Sequence, residues 1–160
     1  MKTIHAALLA ACLATPAALA QAPAAPEKGS AAAVDAVRQA AKDDRRGLVE
    51  RNMQLAPPEA AKFWPIYDAY MKDLEGITKR QNRAVLDYVN QEASMSDANA
   101  NRLVNELLGA DADENKLRKK TYDKVRGAIG ARKAARFLQV ENKIRTLNRF
   151  DTASQVSLVK

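Results

Sequence analysis

Histidine and cysteine are nearly absent from this sequence, which contains one of each, His5 and Cys12. Both fall within residues 1–20, which we interpret as a cleavable export signal, so the processed chain would contain neither. Without them it can form no disulfide, no thiolate or imidazole metal site, and no Cys or His catalyst. Carboxylates could still serve in acid–base catalysis, but that requires a pocket and a partner that shifts a pKa, and no sequence pattern indicates one. We therefore expect no enzyme, no metal and no cofactor.

The export signal is predicted from the order of its parts. Lys2 is followed by an apolar stretch over residues 6–14, then by Pro16 and the small-residue site Ala18-Leu19-Ala20. A charged start, a short apolar run and an A-x-A site in this order are typical of a secretory signal peptide. We expect cleavage after Ala20 and a location outside the cytoplasm.

Long hydrophobic runs are also lacking. A membrane-spanning helix needs about 20 consecutive apolar residues, and no stretch of the chain approaches this. A second interpretation of the N-terminus is that Leu9-Ala10-Ala11-Cys12 is a bacterial lipobox, whose cysteine would be acylated and become the new N-terminus. That alternative would change only how the protein is anchored.

Glycine, β-branched and aromatic residues are scarce, and aromatics make up 5% of the sequence. Alanine, leucine, lysine, arginine, glutamate and glutamine are abundant, and these are the strongest helix formers. The composition predicts an all-α fold, which the spacing of apolar residues divides into about four helices. We expect one domain over residues 33–150, preceded by a disordered leader over 21–32 and followed by a flexible tail over 151–160.

Helix boundaries follow from apolar spacing and capping residues. A modest first helix is expected over about 34–53, weakened by Gly47. Pro57 opens a long second helix, because proline is tolerated in the first helical turn, and Pro65 should kink it. Ser96 is expected to cap a third helix of about 30 residues, and Gly130 to separate it from a fourth helix over about 131–149.

The basic residues concentrate in the second half of the chain. Residues 21–100 carry 11 basic and 12 acidic side chains, whereas residues 101–160 carry 14 basic and 7 acidic ones. Long cationic side chains combine an aliphatic stem with a charge, which suits binding to acidic or unfolded partners, although a charge run is also commonly a solvated helix face with no partner. The candidate binding residues around the turn between the third and fourth helices are Lys116, Arg118, Lys119, Lys120, Lys124, Arg126, Arg132, Lys133 and Arg136.

Trp64 is the remaining candidate binding residue. Phe63 and Tyr67 belong to the apolar stripe of the second helix, and Trp64 is offset from Phe63 by about 100° around the helix axis. It either covers the first helix or forms part of an exposed apolar patch, where it would be an anchor for a client protein or a second subunit.

Short motifs resemble those of the Spy/CpxP-like group of periplasmic proteins, which carry LTxxQ motifs at helix starts. The similarity covers about residues 49–149 and includes Phe63-Trp64-Pro65-Ile66-Tyr67 and the segment KAARFLQVE over residues 133–141. The chain departs from the motif at Ala56 and Gly130 in place of threonine, and at Glu59 and Lys133 in place of glutamine.

The resemblance implies a long antiparallel helical hairpin with flanking helices, often forming a thin curved dimer. Its concave face holds unfolded or partly folded envelope proteins without ATP. Some relatives act instead as stress-responsive adaptors or metal sensors. The metal-sensing relatives use histidines, which the processed chain would lack, so that activity is not carried over.

Three functions therefore stay open. The first is an ATP-independent chaperone or envelope-stress adaptor. The second is a module that binds polyanions such as acidic lipid or lipopolysaccharide; nucleic acid is not expected, since no aromatic cluster accompanies the charges. The third is a regulatory partner of a sensor kinase.

Overall fold

The computed structural model describes residues 31–154 and 156–158, so the predicted export signal and most of the predicted leader lie outside it. The described chain is all-α, as predicted. It contains five α-helices rather than about four, with a short 3-10 turn, Glu92–Ser94, between the third and fourth. The helices are α1 (Ala31–Asp43), α2 (Arg45–Met53), α3 (Pro57–Gln91), α4 (Asp97–Ile129) and α5 (Ala131–Ala153).

The expected first helix, predicted as one helix weakened by Gly47, is two helices with a break at Asp44. The Asp44 carboxylate accepts a hydrogen bond from the Gly47 backbone N–H at 2.8 Å and so caps α2. A Cβ on Gly47 would lie 1.9 Å from Oδ2 of Asp44. Gly47 therefore makes room for the cap, which is what starts the second helix. Upstream, α1 begins at Ala31, so it includes the last two residues of the predicted leader, Ala31 and Ala32.

Helix α3 begins at Pro57, as predicted, and continues without interruption past Pro65. Ala56 has no side-chain oxygen to cap the helix. The Glu59 carboxylate nevertheless accepts a hydrogen bond from the Ala56 backbone N–H at 2.9 Å, which is the return half of a capping box.

Ser96 and Gly130 bound α4, again as predicted. The Ser96 hydroxyl accepts from the Asn99 N–H at 3.2 Å. Gly130 ends α4 and directly precedes α5, with φ 88° and ψ 160°, a conformation that favours glycine. Helix α5 extends four residues beyond the expected Arg149, to Ala153.

Helices α3 and α4 form the expected long antiparallel hairpin. Side-chain hydrogen bonds join the two helices, from Arg80 to Asp113 at 2.6 Å and from Gln81 to Asp111 at 3.0 Å. Helix α5 folds back along α4, and α1 and α2 pack on α5. Among the described residues, no Cα of α3 lies within 8 Å of a Cα of α5. The space between α3 and α5 must therefore be filled by side chains or remain open.

Aromatic rings fill that space at the end near α2. Phe63, Tyr67 and Tyr70 of α3 meet Phe137 of α5, with ring centroids 5.7–6.4 Å apart. All four side chains are buried, and edge-to-face pairs dominate. Val49 and Met53 of α2, each 0% exposed, close the same core.

The predicted tail is partly structured. Asp151 lies in the last turn of α5 and forms ion pairs with Arg38 (2.9 Å) and Lys42 (3.1 Å) of α1. Further along, the Tyr88 hydroxyl donates to the Ser157 carbonyl at 2.9 Å. These contacts attach both ends of the described chain to the helical body.

Candidate functional site

Four lysines form the surface part of the predicted basic cluster. Lys116, Lys119, Lys120 and Lys124 line a shallow depression on α4. Lys119 pairs with Asp123 at 2.9 Å, and a hydrogen bond from this lysine, followed by its charge, lowers the pKa of Asp123. In the described part of the chain, Lys120 and Lys124 pair with no carboxylate. The cationic charge of this surface is thus only partly neutralised.

Three arginines of the predicted cluster are also exposed. Arg126 pairs with Asp123 at 3.4 Å and lies over the Tyr122 ring, 5.8 Å from its centroid. Arg132 and Arg136 are exposed on the first turns of α5. We call Lys116, Lys119, Lys120, Lys124, Arg126, Arg132 and Arg136 the basic face.

Lys133 does not belong to the basic face. Its ammonium donates to the Gln54 carbonyl at 2.8 Å and lies 3.5 Å from the Glu59 carboxylate. Gln54 caps the end of α2 in the left-handed conformation. Lys133 therefore joins the end of α2 and the start of α3 to the start of α5, which is a structural role.

Trp64 covers α2, the first of the two alternatives left open by the sequence. It is half-buried, and the Arg46 guanidinium of α2 stacks on its ring at 4.0 Å from the centroid. The other contacts are edge-on, with Phe63 at 5.1 Å and Tyr67 at 5.6 Å. Trp64 is therefore a partly covered core residue and not the centre of an exposed patch.

A buried carboxylate connects α2, α3 and α5. Glu141 is 2% exposed, and its Oε2 accepts from Arg45 Nη2 at 2.5 Å and from the Tyr70 hydroxyl at 2.9 Å. Its Oε1 is also buried, and none of the described residues forms a hydrogen bond with it. An ion pair in this setting is costly to break, because removing one partner leaves the other charge buried and uncompensated.

Burial and the Glu141 charge shift the pKa values of the neighbouring groups. Burial raises the pKa of Tyr67 to about 12, and the Glu141 carboxylate adds to this shift. The same two causes, with the hydrogen bond to Glu141, raise the pKa of Tyr70 further above its ordinary value. Burial is the largest single effect on Arg45 and acts to lower its pKa, but the attraction of Glu141 together with the contributions of Tyr67 and Tyr70 raises the pKa overall. Both phenols and the guanidinium therefore keep their protons across the physiological range.

Arg118 lies in a different environment from the lysines near it in sequence. It lines a pocket of about 460 Å³ between α3, α4 and α5. Its guanidinium donates to the neutral amide oxygens of Asn142 and Asn115, the latter at 3.4 Å. The sequence grouped Arg118 with the other candidate binding residues of this region, and the structure places it in the pocket instead.

The pocket contains most of the polar residues that sequence reasoning missed. Glu114 is 6% exposed and pairs with Arg145 at 2.6 Å and with Arg149 at 3.5 Å. Asp111 also pairs with Arg149 and accepts from Gln81. A signal for two of these residues was present. Glu114 and Glu141 occupy positions in the apolar stripes of their helices, where a charged residue indicates a buried ion pair.

The far end of the α3–α4 hairpin exposes apolar side chains. Helix α5 returns along α4 only to Ala153, and the segment after it contacts α3 through Tyr88 and Ser157, so α5 itself does not reach the end of the hairpin. The exposed residues there are Leu86 (61%), Val89 (48%), Val104 (53%) and Leu108 (62%). We call these four residues the hairpin tip.

No helix in the described part of the chain is long and apolar enough to cross a membrane. The same residues contain no cluster of three or more metal-ligating side chains. No protein-family model matches the chain, and no similar curated protein or solved structure was found.

Proposed function

We propose that this protein is a periplasmic, ATP-independent chaperone or envelope-stress adaptor that binds unfolded or partner proteins on its α4 surface. The observation that carries the proposal is the hairpin tip. Eight large apolar side chains are exposed in the described part of the chain, and four of them lie on the neighbouring helices α3 and α4, two on each. Exposed apolar groups of this kind mark interaction surfaces.

The basic face extends this surface along α4. Leu108 of the hairpin tip and Lys119 of the basic face lie about three turns apart and within about 20° of each other around the helix axis. A single stripe of α4 therefore changes from apolar to cationic. An unfolded segment with a hydrophobic run and acidic residues would match both halves of the stripe. The attraction between charges would accelerate capture and weaken with added salt.

The test is suppression of aggregation. The mature protein, mixed in equal amounts with a reduced acidic client such as α-lactalbumin, should lower light scattering without ATP. The double substitution Val104→Ser with Leu108→Ser should abolish most of this effect, because it removes exposed apolar area without disturbing the core. The matched control is Val34→Ser with Val37→Ser, which removes two exposed valines on α1 and should leave the activity intact. Equal loss in both variants, or no suppression by the unaltered protein, would exclude the proposal.

A second candidate function is binding to anionic surfaces such as acidic lipid or lipopolysaccharide. It rests on Lys120 and Lys124, which have no carboxylate partner in the described residues and stand beside two further lysines. Vesicles containing phosphatidylglycerol should then retain the protein at physiological salt, and phosphatidylcholine vesicles should not. Lys120→Gln with Lys124→Gln should release it, whereas the Val104→Ser/Leu108→Ser variant should stay bound if charge alone is responsible.

A further inference from the structure

The pocket between α3, α4 and α5 arises from a change in side-chain size along α3. Near α2 the gap between α3 and α5 is filled by Phe63 and Tyr70 against Phe137. Past Tyr70, the α3 side chains that face the gap are smaller. They are Leu74, Thr78, Gln81, Asn82 and Val85. The helices stay apart, so a cavity of about 460 Å³ is left open. This volume lies within the range of about 300–1,000 Å³ found for small-molecule sites.

The charges of the pocket do not balance. Four arginines and three carboxylates line it. Every carboxylate already has an arginine partner: Glu141 pairs with Arg45, Glu114 with Arg145, and both Asp111 and Glu114 with Arg149. Arg118 is the remaining cation, and within the described residues it pairs with no carboxylate.

Arg118 also has hydrogen-bonding capacity to spare. A guanidinium carries five N–H donors, and the described contacts of this one are to two neutral amide oxygens. Its Nε is enclosed by protein atoms, so the N–H groups left on Nη1 and Nη2 are the donors that a ligand would meet. A carboxylate accepts two parallel hydrogen bonds from a guanidinium, and such bonds are strongest away from bulk water.

The rest of the wall is apolar enough to hold a hydrocarbon body. Leu74 and Val85 of α3, Leu107 of α4 and Val156 after α5 line it. A ligand that pairs with Arg118 and also packs against the apolar wall has one acidic group and an apolar body. We propose that this pocket binds a small amphipathic carboxylate, such as a medium-chain fatty acid, with its carboxylate on Arg118.

The proposal is independent of the chaperone activity, because the pocket and the hairpin tip share no residue. Titration calorimetry of the full mature chain with decanoate should show one binding site per chain. Decanol, which has the same apolar body without charge, should bind at least about tenfold more weakly, the loss expected for one charge-assisted hydrogen bond. Decyltrimethylammonium, which has the opposite charge, should not bind.

Two variants locate the site. Arg118→Gln should weaken decanoate binding by about tenfold or more, while the matched control Lys120→Gln, which removes the same charge from the outer side of α4, should leave it unchanged. Val85→Phe should reduce binding by filling the cavity, with the thermal transition retained. The proposal is overturned if decanol binds as tightly as decanoate, if Lys120→Gln weakens binding as much as Arg118→Gln, if folded Val85→Phe binds normally, or if decanoate does not bind.

Discussion

Lys133 and Glu59 occupy the same position in two different helices, the third residue of α5 and of α3, and their charged groups face each other at 3.5 Å. Glu59 accepts the backbone N–H of Ala56, and this hydrogen bond, followed by the charge of Lys133, lowers the pKa of Glu59. Lys133 also donates to the Gln54 carbonyl. Two helix starts and one helix end are therefore held together by a single lysine.

Replacing this lysine should cost stability. We expect Lys133→Met to lower the free energy of unfolding by about 1 kcal/mol, mainly through loss of the hydrogen bond to Gln54. The matched control is Lys120→Met, which removes an exposed lysine of the basic face and should change stability by less than about 0.5 kcal/mol. Urea unfolding followed by circular dichroism measures both. Equal effects would show that Lys133 is a surface cation like the others.

Tyr70 and Tyr67, one turn apart on α3, should respond oppositely to loss of the hydroxyl. The Tyr70 hydroxyl donates to buried Glu141, so Tyr70→Phe should cost about 1–3 kcal/mol. The Tyr67 hydroxyl is buried beside the Arg45 guanidinium, which acts to lower its pKa, but among the described residues no group forms a well-aligned hydrogen bond with it. Tyr67→Phe should therefore be neutral at pH 7 or stabilising by up to about 0.5 kcal/mol. Unfolding curves of the two variants at neutral pH test this contrast, which fails if Tyr67→Phe costs as much as Tyr70→Phe.

The raised pKa of Tyr67 also predicts that the folded protein loses stability at alkaline pH. Its pKa in the folded protein is raised from 10.0 to about 12, by burial first and the Glu141 charge second. The folded state therefore favours the protonated phenol, and this contribution is complete below pH 10 and is lost as the pH rises toward 12. Tyr67→Phe should flatten the decline of the unfolding free energy between pH 10 and about 12. If the unfolding free energy of Tyr67→Phe falls with pH as steeply as that of the unaltered protein, Tyr67 is not the source of the decline.

Two glycines should differ when replaced by alanine. Gly76 lies in the interior of α3 with open space around it, so Gly76→Ala should stabilise the protein by about 0.5–1 kcal/mol. Gly47→Ala should show no such gain, because the new methyl group displaces the Asp44 side chain that caps α2, and loss of a cap costs about 1 kcal/mol. Thermal unfolding distinguishes them, and an equal gain in both would mean that the cap contributes nothing.

Local chemistry explains which parts of the fold could be predicted. Pro57, Ser96 and Gly130 act on their own helix ends, so the sequence around each is sufficient to place the boundary. The break at Asp44 does not follow from the low helix propensity of Gly47, because the role of this glycine is to leave space for the capping carboxylate.

The candidate sites depended on distant partners and were predicted less well. Arg118 and Lys133 belong to one run of basic residues in the sequence, yet Arg118 faces Asn142 across a pocket and Lys133 reaches back to Gln54. Glu141 pairs with Arg45 and Tyr70, which are 96 and 71 residues away. A linear pattern shows that such residues are charged, but only the packing of α5 against the other helices decides which charges are buried.

Because Gly130 alone joins α4 to α5, its backbone conformation decides whether α5 packs on its own chain or on a second copy. One residue with φ 88° is the whole connection between α4 and α5, and a residue with a side chain is strained at that angle. If the junction became helical, α4 and α5 would join into one rod from Asp97 to Ala153, and α5 would have to complete the pocket of a second copy instead of its own. We expect Gly130→Ala to produce such domain-swapped dimers, detected by light scattering as particles with the mass of two chains in a proportion that the unaltered protein does not show.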